Sequence, residues 1–272
     1  MSAPASIAPW TELAAGEDSA FVRLWRGFAT ARVAIAAVLL ALLLVALLFD
    51  RQLSVWARSW PAPVLGALES VTRYGESDWI LVPAAALYLL TALVTWFVRW
   101  KLMRTLLWQF AALYAFIFAG VGLPGLFATL LKRLIGRGRP DHFDAYGVWS
   151  SSPNWLDWTF QSFPSGHATT SFALAAVLGF VSPRWFYPTL GFAAVVAVSR
   201  VAVGAHYPSD VLAGAIVGLL GACVVRLLFA SRRWMFEPAP DGNIRTRPMS
   251  SLRRYLALKR RGSGPAQQPD RT

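Results

Sequence analysis

The chain has 272 residues, of which 56% are hydrophobic and only 15% are charged. A soluble domain of this length needs fewer apolar and more charged residues, so the composition favours a membrane protein over a soluble helical one. The formal net charge is +12, but no basic fold or motif for nucleic acid accompanies it. We therefore expect the cations to orient the chain in a membrane and not to bind nucleic acid. The single cysteine, Cys223, excludes an internal disulfide.

Six apolar segments follow one another along the chain, separated by polar stretches. A helix needs roughly 20 apolar residues to cross the hydrocarbon core of a membrane. Three segments reach that length directly, the first reaches it by extending back to Phe28, and the shorter fourth and fifth alternate with strong ones. The first begins too late, and lacks the small-residue cleavage site, for a cleavable signal peptide. The segments cover residues 33–49, 79–98, 105–131, 166–181, 185–199 and 211–229.

These segments predict an all-α polytopic membrane protein with six transmembrane helices, and the charges of its loops predict its orientation. Residues 231–272 alone carry 10 Lys or Arg against 3 Asp or Glu. The positive-inside rule then places both termini in the cytoplasm and the loops after the first, third and fifth segments outside. We divide the chain into a cytoplasmic N-terminal tail (1–27), a six-helix transmembrane domain (28–230) and a basic cytoplasmic C-terminal tail (231–272). The part from residue 238 onward is expected to be flexible.

Two of the outward loops carry more charge than this topology requires. The loop after the third segment opens with KRLIGRGRPD, and the loop after the fifth contains SRVAVGAHYPSD. Polar groups at the edge of a membrane are costly, which makes them candidates for function. Both loops leave the membrane on the same side, so we expect their side chains to converge. The charged and titratable residues are Lys132, Arg133, Arg137, Arg139, Arg200, His206 and Asp210.

Between these loops, PSGH directly precedes the fourth apolar segment. The proline favours a helix start, Ser165 is expected to cap the helix, and Gly166 lets a ligand approach the backbone. The N–H groups and the dipole of a helix N-terminus attract anions. Arginine and lysine side chains add fixed positive charge that suits phosphate oxygens. The pattern predicts a phosphate site that also uses Lys132, Arg139 and Arg200.

The histidines suggest a division of labour. His206 and Asp210 are four residues apart, so on a helical turn they share one face. A carboxylate that accepts a hydrogen bond from one ring nitrogen leaves the other nitrogen as a nucleophile. His167, at the start of the fourth segment, is then available as a proton donor. Such a pair suits phosphoryl transfer, which needs mainly charge stabilisation and in-line placement.

Other interpretations stay open from the residues alone. An isolated pair such as His206 and Asp210 is more often a helix-capping pair than a catalytic one. A metal site is disfavoured because the chain has only 3 histidines and no acidic cluster, so no metal or cofactor is predicted. Ser165 fits an intramembrane serine protease poorly. We interpret Asp141 and His142 as solvated loop residues, and the aromatic residues of the same loop as an interfacial belt.

Together the motifs resemble those of the type-2 phosphatidic acid phosphatase superfamily. KRLIGRGRP fits K-x6-R-P, PSGH fits the second motif, and SRVAVGAHYPSD fits S-R-x5-H-x3-D, in that order. The resemblance implies that His206 is a nucleophile that forms a phosphohistidine, oriented by Asp210. It implies that His167 is first the general acid and then the base. It also implies a metal-independent reaction on the outer face, with the phosphoryl oxygens bound by Lys132, Arg139, Ser165, Gly166 and Arg200.

Six predicted spans make the chain similar to the membrane lipid phosphatases of that superfamily. The resemblance implies an enzyme of the bacterial inner membrane that hydrolyses a lipid phosphate or pyrophosphate. Undecaprenyl pyrophosphate, phosphatidylglycerophosphate, phosphatidic acid and lipid A phosphates are the candidate substrates, and the expected partners are that lipid and the bilayer. Because the motifs recognise phosphate and not the lipid tail, two alternatives remain: phosphotransfer between lipids, and a non-catalytic lipid-phosphate binder or transporter.

Overall fold

Helices make up nearly all of the regular structure. The computed structural model describes residues 29–153, 155–238, 244–246 and 256. Within these ranges, single-turn 3-10 helices lie at Arg73–Gly75, Pro140–His142, Trp158–Phe160 and Pro183–Trp185. The α-helices are α1 (Ala29–Arg58), α2 (Ala62–Thr72), α3 (Asp78–Phe97), α4 (Lys101–Ile135), α5 (Phe143–Tyr146), α6 (Gly166–Val181), α7 (Phe186–Ala202) and α8 (Pro208–Ser231). Two short strands follow, β1 (Phe236–Pro238) and β2 (Ile244–Thr246).

Each predicted apolar segment coincides with one long helix, in order α1, α3, α4, α6, α7 and α8. In apolar surroundings the backbone N–H and C=O groups can form hydrogen bonds only with each other, which favours helices in such segments. Within the described residues, four helical stretches are long and apolar enough to cross a membrane: Ala62–Phe97, Lys101–Ile135, Pro183–Ala202 and Pro208–Ser231. The first of them joins α2, which the sequence did not predict, to α3. The count of six transmembrane helices stays a prediction.

The short helix α6 runs through the interior of the bundle. It has 16 residues, and at 1.5 Å per residue it measures about 24 Å, less than the hydrocarbon core. Ala168, Ala173 and Val177 on this helix are fully buried. Its neighbours are α4, α7 and α8, so α6 is covered mainly by protein.

Two glycines allow α8 to approach α6 closely. A Cβ on Gly214 would run into the carbonyl oxygen of Ser165, and one on Gly218 into that of Thr169. Small residues four apart permit this close contact between membrane helices. The contact holds the N-terminus of α6 beside the N-terminus of α8, and therefore brings the second and third motifs together.

A small antiparallel hairpin of β1 and β2 covers the other end of α6 and α8. Phe236 is fully buried, and its ring meets the ring of Phe116 edge-on at 4.7 Å between centroids. Arg226 Nη2 donates to Ile244 O at 2.7 Å, which ties the second strand to α8.

The hairpin corrects one expectation about the tail. The hydroxyl of Thr246 donates to Phe180 O at the end of α6 at 3.0 Å, so this part of the chain is packed against the helix ends. The chain from residue 238 onward was expected to be flexible, and that expectation is wrong at 244–246. Residues 1–28, and most of the predicted C-terminal tail, lie outside the described residues.

Candidate active site

The motif-bearing loops and the N-terminus of α6 meet at one end of the bundle. Ser165 N donates to Asp210 O at 2.9 Å, which joins the second motif to the third. Lys132, in the last turn of α4, reaches over the first residue of α6, since a Cβ on Gly166 would lie 3.3 Å from Lys132 Nζ. The three motifs therefore contribute to a single site.

Lys132 and Arg139 are positioned by the turn that ends α4. Gly136 closes the helix in the left-handed conformation, with φ 63° and ψ 35°, and its N–H bonds to Lys132 O. A Cβ at this position would run into the backbone of Ser152 and Pro153. The backbone conformation and the close approach both require glycine. The turn sends the chain back across the end of the bundle towards Arg139.

The N-terminus of α6 offers hydrogen-bond donors. Ser165 occupies the N-cap position, but its side chain makes no capping hydrogen bond, which corrects the expectation of a serine cap. Its Oγ is instead buried and has no hydrogen-bond partner among the described residues. Buried polar atoms are nearly always paired. With the N–H groups of the first turn, this hydroxyl can bind an anion at the positive end of the helix dipole.

Two arginines come to the site from different elements. Arg139 lies on the loop after α4, with its guanidinium over the ring of Trp158 at 4.7 Å. Arg200, in the last turn of α7, donates from Nη1 to Thr72 Oγ1 at 2.8 Å. The Nε atoms of both arginines are buried and lack a hydrogen-bond partner in the part of the chain that the structure describes. Burial also holds the pKa of Arg139 below its ordinary value, and Asp141 and Asp210 oppose that effect.

His206 lies just before α8 and not on it. Gly204, with φ 73°, turns the chain after α7, and α8 begins only at Pro208. The expectation that His206 and Asp210 share a helical face is therefore wrong, although the two side chains are close. His206 Nδ1 is 3.7 Å from Asp210 Oδ2. Ser162 Oγ contacts both groups, lying 3.5 Å from Nδ1 and donating to Oδ2 at 2.5 Å.

Asp210 both caps α8 and faces the histidine. Its Oδ2 accepts the backbone N–H of Tyr207 at 2.8 Å, which forms part of a capping box. Asp210 therefore caps the helix with Tyr207 as its partner and not with His206, and the cap does not account for the whole carboxylate. A separation of 3.7 Å from the imidazole exceeds the length of a hydrogen bond, so the interaction between Asp210 and His206 is mainly electrostatic.

The imidazole of His206 is neutral near pH 7. Burial lowers its pKa from 6.5 to about 4, and the neighbouring carboxylate of Asp210 opposes that shift. The positive charges of Lys132 and Arg139 lower the pKa further. A neutral imidazole keeps a lone pair, and this one faces a strongly positive environment.

His167 is the second residue of α6 and belongs to the same cluster. Its imidazole lies close enough to Arg200 and His206 to be coupled to them electrostatically. A Cβ on Gly75 would lie 2.7 Å from the ring atom Cδ2 of His167, so the turn after α2 packs directly on the imidazole. This contact restricts the ring and, like the hydrogen bond that Arg200 donates to Thr72, makes α2 and the turn after it part of the site.

Two buried charges belong to the site although the motif pattern does not assign them. Arg137 donates from Nη1 to Asp210 Oδ1 at 2.6 Å and from Nη2 to Asp50 Oδ2 at 2.8 Å. Their side chains are at most 4% exposed. The sequence placed Arg137 among the loop cations and Asp50 between two spans. The sequence does not reveal the role of either residue, because Arg137 lies 73 residues from Asp210 and 87 residues from Asp50.

Aromatic residues border the site on the loop between α5 and α6. Three tryptophans of this loop are more than half exposed, which is typical of an interfacial belt. Each lies beneath a guanidinium at 4.7 to 5.4 Å, in the pairs Trp149–Arg137, Trp155–Arg133 and Trp158–Arg139. Asp141 is exposed, as expected, whereas His142 is partly exposed and its ring stacks on that of Phe160 at 4.6 Å between centroids.

Known proteins are similar to this chain over part or most of its length. The sequence model of the PAP2 superfamily matches residues 110–234. A lipid A 1-phosphatase from Rhizobium johnstonii is 39% identical over 207 residues, which are 74% of this chain and 82% of that protein. An undecaprenyl-diphosphatase from Bacillus subtilis is 32% identical over 105 residues, 38% of this chain and 52% of that protein.

One solved structure is also similar. It is the crystal structure of a transmembrane PAP2-type phosphatidylglycerolphosphate phosphatase from Bacillus subtilis, with 25% identity and a TM-score of 0.44, covering 76% of this chain and 90% of that chain. The region that the superfamily matches contains all three motifs, and the similarity to the lipid A 1-phosphatase extends over about three quarters of the chain. The chain belongs to the PAP2 superfamily, as its motifs predicted.

Proposed function

We propose that the chain is an integral membrane lipid phosphatase that works through a phosphohistidine at His206. The observation that carries this proposal is a buried, neutral imidazole beside cationic side chains and the N-terminus of a helix. Such surroundings favour a doubly charged phosphate group and leave the imidazole free to attack it.

The phosphoryl group binds where the unpartnered donors converge. Lys132 Nζ over Gly166 and the N–H groups of α6 hold one side of the group. The Nε atoms of Arg139 and Arg200 and the hydroxyl of Ser165 supply further donors. Guanidinium groups match phosphate oxygens in pairs, and donors fixed before the reaction stabilise charge without reorganising.

His206 and His167 share the chemistry of transfer. Nε2 of His206 forms a bond to phosphorus while the bond from phosphorus to the lipid oxygen breaks, and His167 gives a proton to that oxygen. Asp210 stabilises the positive charge that develops on the imidazole. Water then attacks the phosphohistidine, His167 removes a proton from it, and the N–P bond breaks to release inorganic phosphate and regenerate His206. No step requires a metal ion.

The site faces away from the cytoplasm in this proposal. The basic residues before α1, between α3 and α4, and after α8 support cytoplasmic termini. The motif loops lie at the opposite ends of these helices. The chain then crosses a bacterial inner membrane six times and presents the site to the periplasmic side.

A lipid A-type phosphate is the substrate we favour. The lipid A 1-phosphatase of Rhizobium johnstonii aligns over 74% of this chain, whereas the undecaprenyl-diphosphatase aligns over 38%. The larger alignment extends beyond the motif region, whose residues recognise the phosphate and not the lipid. The phosphate site itself fits a lipid phosphate or a lipid pyrophosphate.

The test is phosphate release by the purified protein in detergent, with lipid A, undecaprenyl pyrophosphate, phosphatidylglycerophosphate and phosphatidic acid as substrates. We expect release fastest from lipid A, unaffected by a chelator and abolished by His206→Asn. His142→Asn, which alters a histidine of the outer loop, is the matched control and should retain activity. Full release by the His206 variant from every lipid would contradict the mechanism. Labelled phosphate that appears on an acceptor lipid would instead identify a phosphotransferase, and binding without turnover a non-catalytic binder.

A further inference from the structure

Arg137 uses every arm of its guanidinium. Its Nε donates to Val148 O at 3.1 Å, and Nη2 donates to Asp50 Oδ2 at 2.8 Å. Nη1 donates both to Ser209 Oγ at 2.8 Å and to Asp210 Oδ1 at 2.6 Å. The planar group is therefore fixed in one orientation, with a carboxylate on each side.

Asp50 reaches this cluster from α1, outside the region 110–234 that the superfamily matches. Its Oδ1 accepts the backbone N–H of Ser209 at 2.8 Å, and its Oδ2 accepts the hydroxyl of the same serine. A carboxylate that is only 1% exposed is costly unless it is paired and fully hydrogen-bonded. Asp50 meets both conditions through Arg137 and the first turn of α8.

The carboxylate of Asp210 links this cluster to the nucleophile. Oδ1 faces Arg137, while Oδ2 accepts Ser162 Oγ and Tyr207 N and lies 3.7 Å from His206 Nδ1. A structural ion pair between α1 and the loop after α4 needs only Asp50 and Arg137. The additional bond to Asp210 places the same arginine directly behind the group that orients the histidine.

We propose that Asp50 and Arg137 are positioning residues of the phosphatase reaction, forming with Asp210 a line of alternating charges that ends at the imidazole of His206 and fixes the orientation and the charge balance of this nucleophile. The inference rests on the proposed function, because it assigns these residues to the His206 mechanism. It also makes α1 a required part of the active site.

The line of charges predicts that removing the charge of Asp50 and removing that of Arg137 have opposite effects on the pKa of His206. The charged groups facing His206 are Asp210 on α8, Lys132 on α4, Arg139 on the loop and His167 on α6. Removing the negative charge of Asp50 leaves Arg137 uncompensated, which lowers the pKa of His206. Removing the positive charge of Arg137 raises it.

The experiment compares Asp50→Asn, Arg137→Gln and Arg137→Lys with wild type and with Asp144→Asn. Asp144 is an exposed carboxylate of α5, so its amide variant is a matched control. In the Asp50 and Arg137 variants we expect kcat to fall by about 10- to 100-fold with little change in KM, because small misplacements of a reacting group have effects of that order. The acid limb of kcat/KM should move to lower pH in Asp50→Asn and to higher pH in Arg137→Gln. Arg137→Lys should keep the position of the limb but lose kcat, since it preserves charge and loses the two-armed geometry.

Nitrogen-15 spectra of the histidines provide a readout that does not depend on turnover. The chain has only 3 histidines, so the titration of His206 can be followed in each variant even if no lipid tested is a substrate. Opposite shifts of the His206 titration with no phosphatase activity would support the charge line and refute the proposed function. Unchanged titration and kcat, or shifts in the same direction in both variants, would overturn the inference. If Arg137→Gln fails to fold, Asp50→Asn is compared with Arg137→Lys instead. The inference then requires His206 to titrate at lower pH in Asp50→Asn than in Arg137→Lys, and the absence of that difference overturns the inference.

Discussion

The two ends of α6 and α8 differ sharply in what they bury. At the motif end, Asp50, Arg137, His206 and Asp210 are almost fully buried, and Arg137 is bonded to both carboxylates. At the hairpin end, the buried groups are the aromatic rings of Phe116, Phe229 and Phe236. Burying charge is costly and burying apolar surface is favourable. The contrast indicates that the hairpin end stabilises the fold, whereas the buried charges at the motif end lower its stability and are candidates for function.

The largest effect should come from the proposed nucleophile, His206. His206→Asn should reduce phosphate release by at least about 10³-fold, as loss of a nucleophile does in other enzymes. Its thermal unfolding in detergent should change little, because the substitution removes a group whose charged form the site disfavours. Substantial phosphate release by His206→Asn would contradict the assignment of the motif end to catalysis.

Loss of the proposed proton donor, His167, should have a large effect that depends on the substrate. His167→Ala should slow release from a lipid phosphate by about 10²- to 10⁴-fold, the usual contribution of general acid catalysis. The leaving group of an aryl phosphate such as p-nitrophenyl phosphate needs no proton. With this substrate, the substitution should slow the burst that forms the phosphoenzyme much less. An equal loss with both substrates would argue against the acid role.

A substitution at the hairpin end should have the opposite signature. Phe236→Ala leaves a cavity against Phe116, and truncation of a buried phenylalanine typically costs about 3 to 5 kcal/mol. We expect a lower unfolding temperature together with an unchanged kcat for the folded fraction. A fall in kcat at constant folded fraction would show that the two ends are not separable.

The pH dependence follows from the buried state of His206. Its pKa is lowered from 6.5 to about 4, so kcat/KM should fall as the pH drops through about 4. The same shift affects stability with a defined sign. Between pH 6.5 and about 4 the unfolded chain binds a proton that the folded site does not, so stability decreases as the pH falls through this window and is unaffected above it. An acid limb near 6.5 would mean that the imidazole is solvated.

The smallest effect should come from a surface ion pair that joins α1 to the loop after α4. Arg58 Nη2 lies 3.3 Å from Asp141 Oδ1, with side chains 39% and 78% exposed. Asp141→Asn should lower the unfolding free energy by less than about 1 kcal/mol, because solvent screens exposed pairs. A larger loss would show that stability at the motif end also depends on its surface charges.

The sequence predicted the helices and the motif residues for clear reasons. Apolar runs force helices, so α3, α4 and α8 appear as unbroken segments in the sequence. Lys132, His167, Arg200 and His206 could be found because charge next to such segments is unusual. The motif spacing then placed them in order along the chain.

What the sequence did not predict depends on contacts between distant residues. The bond of Arg137 to Asp50 spans 87 residues, and that of Ser162 to Asp210 spans 48, so neither has a local pattern. The two strands are only three residues long, too short for their alternation to be recognised. The i, i+4 spacing of His206 and Asp210 was misleading because the helix begins at Pro208, so that only Asp210 lies on it.

The most direct test of the mechanism is to trap the phosphoenzyme. Protein that is turning over a phosphorus-labelled lipid would be quenched in base, digested, and mapped by mass spectrometry, with His206→Asn as the control. We predict a base-stable, acid-labile phosphate on the peptide that contains His206, absent from the control and enriched in His167→Ala with an aryl phosphate. Label on Ser165, or no label on His206 in protein that is releasing phosphate, would contradict the mechanism.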